Sequence, residues 1–106
     1  MIYSNLGINA AGHLTFGGQD TAALAEKYGT PLYLMDEARI RRNCRTYTQA
    51  FRARFGDNAL PLYAGKAASF KHIYTIVREE GLGIDVVSPG EIQTAFVAGF
   101  PLENAY

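Results

Sequence analysis

The chain has little of several things, and each shortage narrows what it can be. One cysteine, Cys44, stands alone among 106 residues. No internal disulfide can form, and a reducing compartment is expected. Charge of neither sign is in excess, because ten basic residues balance ten acidic ones. That balance gives no support to a surface for nucleic acid or anionic membrane. No uninterrupted apolar run approaches the roughly 20 residues that a membrane helix needs. The first residues, MIYSNLGINAAGHLTF, lack the basic start and apolar core of a signal peptide. There is no repeat, no low-complexity tract and no Gly-x-Gly-x-x-Gly, phosphate-loop or nucleophile-elbow signature. The two histidines, His13 and His72, lie at no metal-ligand spacing. The expectation is a cytoplasmic protein without metal, membrane or nucleic-acid partner.

What is present is globular. Hydrophobic residues at 48% and charged residues at 19% exclude a disordered chain, and the length allows at most one small domain. HLTFGG (13–18) reads as a short strand closed by glycines. QDTAALAEKYGTP reads as a helix capped by Asp20 and ended by Gly29, with Pro31 forbidding continuation. PLYLMD (31–36) is apolar and extended. Asp36 caps a longer helix, on which Ile40, Cys44, Tyr47, Phe51 and Phe55 form one face. Six arginines (Arg39, Arg41, Arg42, Arg45, Arg52 and Arg54) share that helix. A solvated outer face accounts for them better than a binding patch, because acidic residues elsewhere cancel the charge.

A regular alternation follows. ALPLYAG (59–65) reads as a strand. SFKHIYTIVREEG is a helix capped by Ser69, with Phe70, Ile73, Ile76 and Val77 on one face. LGIDVV (82–87) is a second strand. SPGEIQTAFVAGF is a second helix, with Ile92, Ala95 and Phe96 facing inward, and ENAY begins a third strand. Strands alternating with helices across short connections imply an α/β fold with a parallel sheet. In such sheets ligands gather at the carboxyl ends of the strands.

Lys66, Asp85 and Ser88 all fall at that rim. An ammonium group at the end of an apolar strand demands a reason. By side-chain alternation Ile84 and Val86 face the helices and Asp85 the opposite side, while Leu62, Ala64 and Lys66 share a face. Lys66 and Asp85 can therefore approach. A salt bridge explains such a pair without function; an amine poised to bond a carbonyl compound is the functional reading. Ser88 and Glu91 have the spacing of a capping box, with Pro89 at the favoured first helical position.

YAGKA (63–67), followed by EGLGIDVVSPGEI (80–92), resembles the pyridoxal-phosphate decarboxylases built on an alanine-racemase-type barrel. TPLYLMDEARIRRNCRTYTQAF (30–51) and AGFPLENAY (98–106) are similar to the same family's flanking segments, so the likeness covers residues 13–106. Ala68 departs from it, standing where many members have a larger or amide side chain. The resemblance implies that residues 36–106 are the first part of a pyridoxal-phosphate-binding (β/α)8 TIM barrel. It implies that residues 1–35 associate with a second, β-rich domain absent here. It makes Lys66 the catalytic lysine that holds pyridoxal 5'-phosphate, with Ala64, Asp85, Ser88 and Glu91 around the cofactor. It implies a small amino-acid substrate and a homodimer, with most similarity to members that convert meso-diaminopimelate to L-lysine. A complete barrel takes about 250 residues, so these 106 residues are expected to be an N-terminal fragment, inactive alone. Three other readings are open: a decarboxylase for ornithine, arginine or carboxynorspermidine; a racemase or cofactor carrier on a similar barrel; and a non-catalytic α/β interaction domain in which Lys66 and Asp85 only pair.

Overall fold

The structure, a computed structural model, describes residues 3–106. It divides into two compact units, Met1–Arg39 and Ile40–Tyr106.

The first unit is built on a small antiparallel sheet. Strand β1 (Leu6–Ile8) pairs with β2 (Leu14–Phe16), which pairs in turn with β3 (Gln19–Asp20). Gly17 and Gly18, at φ +57° and +80°, make the tight turn from β2 to β3 that a side chain would resist. Asp20 then starts helix α1 (Thr21–Tyr28). Its Oδ1 accepts from the backbone N–H groups of Ala22 (2.9 Å) and Ala23 (3.2 Å), as the sequence predicts. Its Oδ2 lies 2.7 Å from Asn9 Nδ2 and 2.9 Å from His13 Nδ1. The His13 hydrogen bond, followed by the N–H of Ala23, holds the Asp20 carboxyl down at about 2. Strand β1 was not expected, because no glycine pair closes it as Gly17 and Gly18 close β2. PLYLMD is irregular chain rather than strand.

Helix α2 (Glu37–Phe55) follows, and Asp36 Oδ1 accepts from Arg39 N at 3.1 Å to cap it. In the second unit the expected alternation is present. Strand β4 (Leu62–Ala64) runs parallel to β5 (Gly83–Asp85), and helix α3 (Lys71–Glu79) connects them. Helix α4 (Pro89–Val97) leads on to Ala105, which bridges Ile84 in parallel. Hydrogen bonds from Val86 N to Tyr106 O (2.8 Å) and from Tyr106 N to Ile84 O (2.9 Å) extend that third pairing. Among the described residues this sheet is open and closes no barrel.

The core of this unit forms where α3, β5 and α4 meet. Tyr74, Val77, Ile84 and Ala95 are wholly buried, with Ile73, Leu82, Ala98 and Phe100 around them. Burying each branched side chain contributes about 1.5–3 kcal/mol. Arg41 and Arg45 reach from α2 to the end of α3. Arg45 Nε and Glu80 Oε2 are 2.6 Å apart, Arg41 Nη1 and Glu80 Oε1 3.0 Å, and Arg41 Nη2 and Glu79 Oε2 2.8 Å. Two of the six helix arginines are thus neutralised within the unit. A groove of about 690 Å³ lies between α2 and β4, lined by Ile40, Cys44, Tyr47, Phe51, Tyr63 and others. The apolar face read on α2 therefore borders this groove, and Tyr47 and Phe55 are exposed. Burial pushes the Cys44 thiol up, helped by Glu80.

Four expectations need correction. The strand carrying Lys66 ends at Ala64, and Lys66 sits in a 3-10 turn, Gly65–Ala67, so strand alternation does not reach it. Ser69 does not cap α3: Phe70 stands at that position, and the serine hydroxyl is drawn instead to Tyr74, 3.0 Å away. Phe70 is exposed, and Tyr74 takes its place on the buried face. Ile92 and Phe96 are exposed, because α4 packs through Glu91, Ala95 and Ala98. The two alanines let the helix approach closely, which larger side chains would prevent.

Candidate functional site

The carboxyl ends of β4 and β5 lie side by side, and the register sets what shares that rim. Leu62 pairs with Gly83, Tyr63 with Ile84, and Ala64 with Asp85. Tyr63 and Ile84 turn towards the helices and join the core. Paired residues in a parallel ladder share a face, so Leu62, Ala64, Gly83 and Asp85 lie on the other side. A Cβ at Gly83 would sit 2.5 Å from Leu62 Cδ2, which shows how closely that face is packed across the pair. Ala64 and Asp85 are half-buried neighbours, and the turn bearing Lys66 follows directly.

Lys66 is exposed. No ion pair or hydrogen bond joins it to Asp85 among the described residues, so the salt bridge that would explain both residues without function is not formed. Ser88 and Glu91 are brought together by the capping geometry. Ser88 Oγ accepts from Glu91 N at 3.2 Å, and Glu91 Oε2 accepts from Val87 N at 2.6 Å. The reciprocal bond falls one residue ahead of the cap itself. Glu91 is buried, and its carboxylate faces its own backbone.

The sequence reading missed two tyrosines. Tyr63 donates from its hydroxyl to Ala68 O at 3.2 Å. Burial raises its phenol, and nearby Tyr74 adds to this, so the hydroxyl keeps its proton at neutral pH. Tyr74 lies wholly buried on α3, with its ring edge-on to Tyr63 at 6.3 Å. The available signal was a tyrosine among Ile73, Ile76 and Val77: a hydroxyl on a buried face must find a partner. No helix of the described residues is long and apolar enough to cross a membrane. No group of His, Cys, Asp or Glu among them could hold a metal ion.

A parallel strand–helix unit with a lysine in the turn after its first strand defines a class of α/β proteins with a rim site. The model for the pyridoxal binding domain of pyridoxal-dependent decarboxylases matches residues 37–105, and the chain belongs to that family. Among its relatives, diaminopimelate decarboxylase of Methanothermobacter thermautotrophicus is 46% identical over 99 residues, covering 93% of this chain and 23% of the relative. The Bacillus subtilis enzyme of the same name is 49% identical over 98 residues, covering 92% and 22%. A crystal structure of diaminopimelate decarboxylase from M. jannaschii superposes with a TM-score of 0.83 at 34% identity, over 95% of this chain and 24% of that one. A co-complex of the M. jannaschii enzyme with L-lysine gives 0.81 at 31% identity, over 96% and 24%. The chain spans under a quarter of the length of the curated relatives it matches.

Proposed function

We propose that these residues form the first part of the cofactor-binding barrel of a diaminopimelate decarboxylase, which removes one carboxyl group from meso-diaminopimelate to give L-lysine. The observation that carries this is Lys66: an exposed amine at the carboxyl end of β4, beside the Ala64–Asp85 pair, in a chain 46–49% identical to enzymes of that name. A relative of the same fold was crystallised with L-lysine, the product expected here.

The residues present fit pyridoxal phosphate. Lys66 offers the primary amine that can bond its aldehyde carbon, and Ala64 keeps the neighbouring position small enough for a flat ring. Asp85 adds a carboxylate on the same rim. Ser88 and Glu91 open α4 at that rim, where helix N–H groups favour a polar or anionic edge. When bound, the chemistry that pyridoxal phosphate supplies is that of an electron sink for the electron pair left as carbon dioxide departs. Lys66 Nζ would hold the cofactor through that aldehyde carbon, its exposed side chain leaving the amine accessible from the rim. Residues 1–35 associate with a second, β-rich domain, and the whole enzyme is a homodimer. The remaining site residues lie in the three-quarters of the relatives' length beyond this match, so the 106 residues alone do not turn over substrate.

The test uses the complete gene product. It is loaded with pyridoxal phosphate, reduced with borohydride, digested and mapped by mass spectrometry. Label on Lys66 and release of carbon dioxide from meso-diaminopimelate support the reading. Turnover of ornithine, arginine or carboxynorspermidine instead would reassign the substrate. A folded protein left unlabelled at Lys66 would remove the cofactor assignment.

A further inference from the structure

The lysine turn is braced from below by groups with no chemistry of their own. Gly65, the first residue of the turn, is buried, and its φ is not in the left-handed region. What requires glycine there is proximity. A Cβ at position 65 would lie 2.5 Å from Tyr74 Oη and 3.0 Å from the backbone carbonyl of Asp85. The Tyr74 hydroxyl therefore sits flush against the backbone immediately before Lys66. The same hydroxyl is 3.0 Å from Ser69 Oγ, so it also fixes the far end of the segment. Tyr63, stacked edge-on to Tyr74, holds Ala68 O between these two points. The chain before Lys66 thus packs against the hydroxyl of buried Tyr74, and the chain after it is bonded to Tyr74 and half-buried Tyr63, while the Lys66 side chain is exposed.

Phenylalanine at position 74 would fill the same core volume without burying a hydroxyl, which costs free energy unless bonded. The hydroxyl is directed at the turn. We propose that Tyr74 is a positioning residue, whose hydroxyl, lying against Gly65 and bonded to Ser69, sets the placement of the Lys66 amine for attack on the cofactor aldehyde. This rests on the assignment of Lys66 as the cofactor lysine. Tyr74 acts through the turn and touches neither substrate nor cofactor.

The experiment compares parent, Tyr74→Phe, Ser69→Ala, Gly65→Ala and the Gly65→Ala/Tyr74→Phe double variant in the complete gene product. The readout is the rate of borohydride-trapped pyridoxal phosphate on Lys66, with circular dichroism to report folding. Losing one neutral hydrogen bond that orders the turn is expected to slow trapping about fivefold in Tyr74→Phe. Ser69→Ala, which breaks the same bond from an exposed residue and cannot empty the core, should slow it in the same direction. Gly65→Ala should slow it further, and the double variant should recover part of that loss, because removing the hydroxyl makes room for the new methyl group. An unlabelled parent would overturn the assignment of Lys66 itself. A labelled parent with folded Tyr74→Phe and Ser69→Ala trapping at the parental rate would overturn the positioning role alone. Should Tyr74→Phe fail to fold, the Ser69→Ala rate decides in either direction.

Discussion

Replacing Glu91 separates its two possible duties. Its carboxylate accepts from Val87 N at 2.6 Å, and its backbone N–H donates to Ser88 Oγ. A hydrogen bond to a charged acceptor contributes about 1.5–3 kcal/mol. A carboxylate in the first turn of a helix adds about 0.3–1 kcal/mol through the dipole. Val87 lies at a largely exposed position, so water can reach its amide once the carboxylate has gone, which puts the net loss for Glu91→Ala near 2 kcal/mol. Urea unfolding followed by circular dichroism should show this as a midpoint lower by about 1 M, with slope unchanged. Glu91→Gln keeps an acceptor oxygen and should lose about half as much. An unchanged midpoint in Glu91→Ala, accompanied by lost cofactor trapping on Lys66, would refute the capping argument and place the carboxylate among the ligand groups.

Glu80→Gln should destabilise the second unit by about 1–2 kcal/mol, between the values for exposed and buried pairs, because Arg41 and Arg45 both lose a carboxylate; chemical denaturation at two salt concentrations checks it. Gly83→Ala should cost about 1–3 kcal/mol, since the new methyl meets Leu60, Leu62 and the Asn104 carbonyl and the backbone oxygen cannot yield; its thermal midpoint measures this. The Asp20 carboxyl lies at about 2 in the folded chain against 3.8 ordinarily. The stability it contributes is therefore full above pH ~4 and lost as pH falls through ~2. Asp20→Asn should abolish that acid dependence in the first unit, as followed by an NMR pH titration.

Much of the fold was legible because its signals are local. Asp20 and Asp36 cap as read, and apolar runs alternate with helical patterns where β4, α3, β5 and α4 lie. Strand alternation alone would bring Lys66 to Asp85, but the strand ends two residues earlier, and it is Ala64 that pairs with Asp85. What escaped depends on contacts distant in sequence. On α4 Ala95 faces inward as read, but apolarity places Ile92 and Phe96 beside it, whereas packing selects the small Ala98 instead. Ser69 has the composition of a cap, and only the approach of Tyr74 across the loop shows where its hydroxyl goes. The turn after Ala64 likewise packs against a tyrosine on another element.

The even spacing of the parallel pairings bears on how this unit forms. Leu62 meets Gly83 and Ile84 meets Ala105, each 21 positions along the chain. Every addition to the sheet therefore closes a loop of one length, with the same entropic toll, which grows only slowly with size. No pairing awaits a distant partner, so sequence separation stays modest for a parallel architecture. Such a chain can assemble in the order in which a ribosome delivers it. Lys66 would then be seated in its turn once residues as far as β5 have emerged, before the third pairing at Ala105 begins.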